Sequence, residues 1–477
     1  FSKQRGPSCS PFGMTLRVTP LGAGQQVGRS CVLLEIGGSR VLLDCGVAAG
    51  ASGSERIPDA QSLQEALKVG IDAVFLSHFH LDHAGALPYL TEVLGYTGPL
   101  IMTHPTRAVA PIILKDSLKY VRRKQEASFY TEEMVDACFE RATCVQLEER
   151  LVLGELAITT YYAGHVLGAV MILLESAGLS ALYTGDFTMV PDHHLSAAHL
   201  PLSLQPDAMI TETTCCTTLR TSKRASEQQL CQQVQETLQK GGKVLVPVLM
   251  MGRSQELCMI LEQHWARAQL KFPIFVIRGM AETAQTFFRF FSSWASQKVR
   301  AAKEPFQFPH VRFCSVNEAL DLTTPAVVFA GPAMMQGGPS LELFKRWGPD
   351  ARNLVVFSGY CLPGTIGNLV QSKAKSIDVD KETIPISCRV EYGSHSDHTD
   401  SRGILDMISQ VSPRQVVLVH GAALQMEIFQ PLVLRRLRIP CHTPAVGETV
   451  DLSSSSFSQV SVSPMLLRDA EPVPPPP

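Results

Sequence analysis

Three histidines and an aspartate fall within the six residues His78 to His83, in SHFHLDH, directly behind the apolar run IDAVFL. An apolar, β-rich run of this length reads as a buried strand. Its end delivers several metal-capable side chains to one place, which restricts the fold to one that gathers ligands at a strand terminus. His78 and His80 stand two apart, so an extended or looped backbone points both to one side. Asp82 and His83 follow on the turn into GALPYLTEVLG, which reads as a helix. Imidazole nitrogen and carboxylate oxygen suit zinc, whose ligands lie about 2 Å away. Four potential ligands exceed what one tetrahedral ion needs if it keeps a water position, so two ions sharing the cluster is the natural reading. A lone histidine is usually a core or surface residue; the density of this cluster argues against that.

The design recurs along the chain. His165 in YYAGHVLGA, Asp186 in LYTGDF and His420 in VVLVHG each end a β-rich run beside a glycine, which lets backbones approach closely. Asp186 is placed to bridge two ions. Asp44 in VLLDCG has the same form and is expected to orient a ligand by hydrogen bonding rather than to bind metal.

The chain has 477 residues, 45% hydrophobic and 18% charged, enough for two or three cores. A net charge of −2 advertises no global field for nucleic acid, though a local basic groove would not show in the sum. Thirteen cysteines without paired spacing do not form a disulfide framework and suit a reducing compartment. The opening FSKQRGPSCSPFGM lacks an apolar signal core, and Met14 is the expected natural start. No apolar run is long enough to span a membrane. Up to Asp207 the pattern is mainly short strands. From there SEQQLCQQVQETLQKGGKVLVPVLM, GRSQELCMILEQHW, FPIFVIRG, AVVFAGP and NLVVFSGY alternate helix and strand, as for a parallel sheet. After Ser387 strand and histidine signals return in CRVEYGSHSDH and RQVVLVHG, and the Ser- and Pro-rich end is expected to be disordered.

LLDCG, SHFHLDH, GHVLGA, TGDF and LVHG resemble the successive motifs of the metallo-β-lactamase fold. The stretch between TGDF and LVHG resembles the β-CASP insertion of its nucleic-acid-processing branch. VTPLGAGQQVGRSCVLLEIGG, GYTGPLIMTHPT, PVLMMGRSQEL and PAVGETV bring the chain close to the endonuclease subunits of the Integrator and cleavage/polyadenylation complexes. The resemblance implies an α/β fold, a metallo-β-lactamase αββα sandwich with an inserted β-CASP α/β domain. It divides the chain into residues 14–206 and 387–452 for the sandwich, 207–386 for the insertion and 453–477 for the tail. By position, His78, His80 and His165 would bind one Zn2+, Asp82, His83 and His420 the second, and Asp186 would bridge. Asp82, Glu212 and His398 would be catalytic, with His398 as general acid held by Glu212. The implied activity is hydrolysis of phosphodiester bonds in nascent RNA, as in snRNA 3′-end processing or transcription attenuation, in the nucleus and also the cytoplasm. Implied partners are RNA and the other subunits of an Integrator-like or cleavage/polyadenylation-like complex. Relatives also pair with a catalytically inactive paralogue through a C-terminal region; the short tail here argues against that pairing.

The chain departs from its relatives at three places. Glu212-Thr213-Thr214-Cys215-Cys216 stands where they read E-S-T-Y, His395 where they carry an aromatic, and FAGPAMM where they read F-A-T-P-G-M. His395 competes with His398, which is preferred because Asp400 follows it as in the family. GAGQQVG has the wrong spacing for a dinucleotide loop and reads as a hairpin turn. Arg253 in GRSQEL opens a helix that is either a phosphate site or a capped helix packed between domains. YVRRKQ and LRRLRI read as solvated helix faces, with RNA contact or nuclear import as the alternative. His193, His199, His264, His310 and His442 lack partner spacing and read as structural. Two other functions share these motifs: a non-catalytic scaffold subunit and a small-molecule metallo-hydrolase of the same fold. Intact ligand motifs disfavour the first and the large insertion the second. A DNA substrate is left open by the chemistry.

Overall fold

The computed structural model describes residues 15–48, 51, 53–123, 127–202, 204–220, 222–359, 361, 364–379, 382–393 and 397–453. Met14, His395 and the tail from 454 onward lie outside them.

Two seven-stranded sheets and one six-stranded sheet carry the fold. The first runs in the order Val450–Asp451, Leu16–Gly22, Cys31–Ile36, Ser39–Leu43, Ala73–Phe75, Leu100–Thr103, Thr143–Val145. The second runs Cys441–His442, Gln415–Val419, Ala208–Glu212, Leu179–Tyr183, Val170–Ser176, Leu156–Tyr162, Arg150–Leu153. Their inner faces share one core, in which Leu34, Phe75, Met171, Ile172 and Ile210 are fully buried. Burying a side chain of this size contributes roughly 1.5–3 kcal/mol. Helices close the sandwich outside, among them His104–Arg123, Glu132–Glu140, Ser401–Val411 and Ala423–Leu437. The arrangement is the expected αββα sandwich. GAGQQVG is, as read, part of the connection between the antiparallel strands Leu16–Gly22 and Cys31–Ile36.

The inserted unit is a six-stranded sheet, every pairing parallel, in the order Val311–Cys314, Ile274–Ile277, Val327–Ala330, Val244–Pro247, Leu354–Phe357, Arg389–Tyr392. Separate cores lie on its two faces: helices Lys223–Gln239 and Arg253–Ala268 cover one, Gly338–Trp347 the other. Helices on both faces are what parallel strands require, because each crossover must pass over a face.

Both expected boundaries of the insertion move. Ala208–Glu212 pairs in parallel with Leu179–Tyr183 and Gln415–Val419, so it belongs to the second sandwich sheet and the insertion begins after Glu212, not at 207. Arg389–Tyr392 pairs with Leu354–Phe357, so the insertion's sheet extends past 386 to Tyr392. A short apolar strand does not encode which sheet receives its hydrogen bonds. That is decided by partners far away in sequence.

Candidate metal centre

The edge of the sandwich collects strand ends. His78 follows Ala73–Phe75, His165 follows Leu156–Tyr162, Asp186 follows Leu179–Tyr183 and His420 follows Gln415–Val419. Glu212 is the last residue of a strand in which all five residues are buried. The chain bends sharply where it leaves some of these strands: Asp44 has φ 62° and His420 has φ 52°. Such backbone is uncommon outside glycine and persists where the surroundings hold it.

The side chains converge in two groups sharing one carboxylate. His78 Nε2 and His165 Nε2 lie 3.1 and 3.0 Å from His80 Nδ1. Asp186 Oδ2 lies 3.7 Å from His78 Nε2 and 3.6 Å from His165 Nε2. On the other side Asp186 Oδ2 is 3.2 Å from His83 Nε2, while Asp82 Oδ2 is 3.3 Å from His420 Nε2 and 3.9 Å from His83 Nε2. Ligands about 2 Å from a tetrahedral ion stand about 3.3 Å apart, so both groups have the spacing of a coordination shell. All seven residues singled out from the sequence as ligands are brought together.

Hydrogen bonds behind the rings set which nitrogen carries a lone pair. His165 donates Nδ1–H to the Asp397 carbonyl at 2.9 Å, which leaves Nε2 as its acceptor nitrogen. His83 Nδ1 is 2.7 Å from Asp44 Oδ2, with the same consequence. Asp44 also accepts from Ser77 N–H at 2.7 Å, Ser77 Oγ at 2.8 Å and Tyr183 Oη at 2.7 Å, the orienting role expected of it. His420 Nδ1 meets Thr214 Oγ1 at 3.0 Å.

The electrostatics fit a cation. Both Asp186 oxygens and His80 Nε2 are buried with no hydrogen-bond partner among the described residues. A buried carboxylate in that state is costly unless a cation compensates it. Burial pushes the Asp186 carboxyl up, but the His83, His420 and His398 imidazoles outweigh it and hold the group well below the usual range. Burial and neighbouring imidazoles drive His78 far down, and burial together with His165 takes His80 to about 4, so both rings are neutral and able to bind metal. The donor set of imidazoles and carboxylates suits zinc.

Beside this centre, His398 Nδ1 lies 2.8 Å from Glu212 Oε2 and 3.8 Å from Asp186 Oδ2. Glu212 Oε1 accepts the Phe187 N–H at 2.9 Å, which fixes the carboxylate. Burial would push the His398 imidazole down, but Glu212 and Asp186 outweigh it and raise it well above its ordinary value.

Several contributors carry no sequence signal. Asp397 and Ser77 are known only from their contacts. Gly46 lies so close to the ligand loop that an added Cβ would fall 1.8 Å from the Asp82 carbonyl oxygen. Gly46→Ala must push the Asp82–His83 backbone away. A displacement of about 1 Å can lower activity about 10²-fold. We expect that loss together with weaker metal binding, measured by metal analysis of the purified variant.

Arg253 resolves to the packed reading: Gln255 Oε1 caps the Gly252 N–H at 2.7 Å, and Arg253 is buried against Asp192. The histidines read as structural behave so where they are partnered: His193 meets Glu227, His264 Gln235, His310 Glu262 and His442 Gln415. The twelve cysteines among the described residues are free. No helix among these residues is long and apolar enough to cross a membrane.

Comparison with known proteins agrees with this geometry. Residues 33–214 match the metallo-beta-lactamase superfamily domain, 254–369 the Beta-Casp domain and 383–444 the Zn-dependent metallo-hydrolase RNA specificity domain. Integrator complex subunit 11 of Danio rerio is 42% identical over 461 residues, covering 95% of this chain and 77% of that protein. Cleavage and polyadenylation specificity factor subunit 3-II of Arabidopsis thaliana is 38% identical over 464 residues, covering 95% of this chain and 75% of that protein. A crystal structure of a protein of unknown function from Enterococcus faecalis V583 shares the fold, with a TM-score of 0.53 at 13% identity, covering 92% of this chain and 100% of that one. The chain belongs to the metallo-β-lactamase/β-CASP family that includes Integrator complex subunit 11.

Proposed function

We propose that the chain is a zinc-dependent RNA endonuclease that hydrolyses phosphodiester bonds of nascent RNA within a multisubunit complex. The observation that carries the reading is the pair of ligand groups joined by Asp186, with the Glu212–His398 pair 3.8 Å away. His78, His80 and His165 would hold one Zn2+, and Asp82, His83 and His420 a second, with Asp186 between them. Ions bound there supply Lewis-acid chemistry, lowering the pKa of a water and offsetting charge on phosphoryl oxygens.

The protein's own residues supply the rest. Cleavage breaks the bond between phosphorus and the 3′ oxygen, and that oxygen leaves poorly unless protonated. His398, kept protonated by Glu212 and Asp186, is a proton donor at neutral pH. With Nδ1–H engaged by Glu212, donation runs through Nε2, and Glu212 stabilises the ring while it is charged. The products are a 3′ hydroxyl upstream and a 5′ phosphate downstream. Asp82 Oδ2 stands 3.3 Å from His420 Nε2, the spacing of two ligands of one ion, and lies beside the reacting centre.

The relatives' printed names, as complex subunits, support an Integrator-like or cleavage/polyadenylation-like assembly; a nuclear location goes with that proposal. Metal analysis should return two zincs, and the wild type should cleave labelled single-stranded RNA. The double variant Asp82→Asn/His83→Ala should not. Activity that survives in this variant, or a protein without metal, would overturn the reading. His398→Ala should lower cleavage about 10²–10⁴-fold, the range of a general acid, with zinc content unchanged. A scaffold subunit would show no difference between wild type and His398→Ala.

A further inference from the structure

We infer that Arg253 is a positioning residue for the metal centre, acting from the inserted domain through Asp397 on His165 and His398; the inference rests on the proposed metal-dependent function.

Helix Arg253–Ala268 meets the sandwich with its first turn, where Arg253, Ser254, Gln255 and Glu256 are all buried. Glu256 is taken up by the sandwich segment, accepting His193 N–H at 2.9 Å, His194 N–H at 3.1 Å and His194 Nδ1 at 2.7 Å. Arg253 instead reaches toward the metal centre. Its Nη1 lies 3.3 Å from Asp192 Oδ2 and its Nη2 lies 3.6 Å from Asp397 Oδ2.

Asp397 joins three parts of the site. Its carboxylate faces Arg253, its carbonyl accepts the Nδ1–H of His165 at 2.9 Å, and the next residue is His398. The segment beyond is pinned to the sandwich, because Thr399 N–H donates to the Phe187 carbonyl at 2.9 Å and Asp400 caps helix Ser401–Val411. Arg253 therefore holds the near end of a short segment whose far end is already fixed. That setting decides where the His165 ring and the His398 ring point. Groups that orient a metal-binding histidine typically matter by about 10–100-fold in metal affinity or activity. The fork of a guanidinium can meet Asp192 and Asp397 together, which a lysine ammonium cannot do with fixed geometry.

The test uses the full chain with Arg253→Gln, Arg253→Lys, Asp397→Asn, Asp192→Asn and the double variant Arg253→Gln/Asp397→Asn. Zinc retention against a competing chelator is read beside kcat and KM for single-stranded RNA. Arg253→Gln and Asp397→Asn should each weaken zinc retention about 10-fold or more and lower kcat more than they raise KM. Arg253→Lys should recover part of both. Asp192→Asn should cost both less than Arg253→Gln does, since it loosens the guanidinium but spares the Asp397 contact. The double variant should be no worse than the worse single one, as expected for two residues acting through one contact. Equal losses in Asp192→Asn, additive losses in the double variant, or wild-type zinc retention in Asp397→Asn would overturn the inference and leave Arg253 a joint between domains. Should Arg253→Gln fail to fold, Asp397→Asn decides, because the Asp397 side chain keeps 18% of its surface exposed, belongs to no hydrophobic core and changes least in shape. Absence of RNA cleavage by the wild type would count against the proposed function alone, because zinc retention is read without it.

Discussion

Asp186→Ala is expected to abolish cleavage, with a loss of at least about 10³-fold, and to lower zinc content below two per chain. The size follows from its place. Asp186 is within 3.7 Å of His78, 3.6 Å of His165 and 3.2 Å of His83, so both ligand groups lose a donor in one substitution. Removing a single preorganised charge-stabilising group from an active site already costs roughly 10²–10³-fold. The same carboxylate also faces His398 at 3.8 Å and helps keep that ring charged. Metal analysis and a single-turnover assay on the same preparation separate the two losses. A variant that keeps two zincs and cuts within tenfold of wild type would show that Asp186 is not shared between the groups.

Glu256→Ala should be the most damaging substitution outside the metal centre. Its carboxylate is fully buried and meets His193, His194 and Lys223, the last at 2.9 Å. Lys223 and Arg253 also pair with Asp192, so removing Glu256 leaves buried cations and N–H groups with fewer acceptors. Breaking a buried ionic pair from one side costs about 3–5 kcal/mol. A lower Tm by calorimetry checks this, and Glu256→Gln should fall between, since the amide keeps one acceptor. Burial pushes the Glu256 carboxyl up, but His194, Lys223 and Arg253 outweigh it and hold it well below the ordinary range. Its contribution is therefore complete above the unfolded carboxylate pKa of about 4.3 and is lost as pH falls below that.

The residues that converge at the candidate metal centre were legible because their signals are local: a β-rich run ending in metal-capable residues, beside a glycine at His165, Asp186 and His420. Asp44 was legible for the same reason, and its four hydrogen bonds account for its position beneath His83. The ionic joint was not. Asp192, His194 and Glu256 come from two domains, and nothing near any of them in sequence names the others. His193 reads as an ordinary structural histidine, yet the segment that holds it and His194 fixes the insertion in place. Arg253 could be read two ways because a glycine followed by a basic residue opens both phosphate sites and packed helices. Burial against Asp192 and the Gln255 cap decide between them, and neither is visible in GRSQEL. The domain boundaries slipped at Ala208–Glu212 and Arg389–Tyr392 because hydrogen-bond partners, not composition, assign a strand to a sheet.

The chain leaves the sandwich just after Glu212 and re-enters it at His398, and these two side chains are 2.8 Å apart. The insertion therefore leaves and rejoins the host through one pair of crossings whose flanking side chains are in contact, the geometry in which one domain can be grafted into another. Here the graft seam and the proposed proton donor are the same place. A short peptide bridging the seam could replace the insertion and leave both sandwich sheets whole, but it would have to re-create the setting of His398.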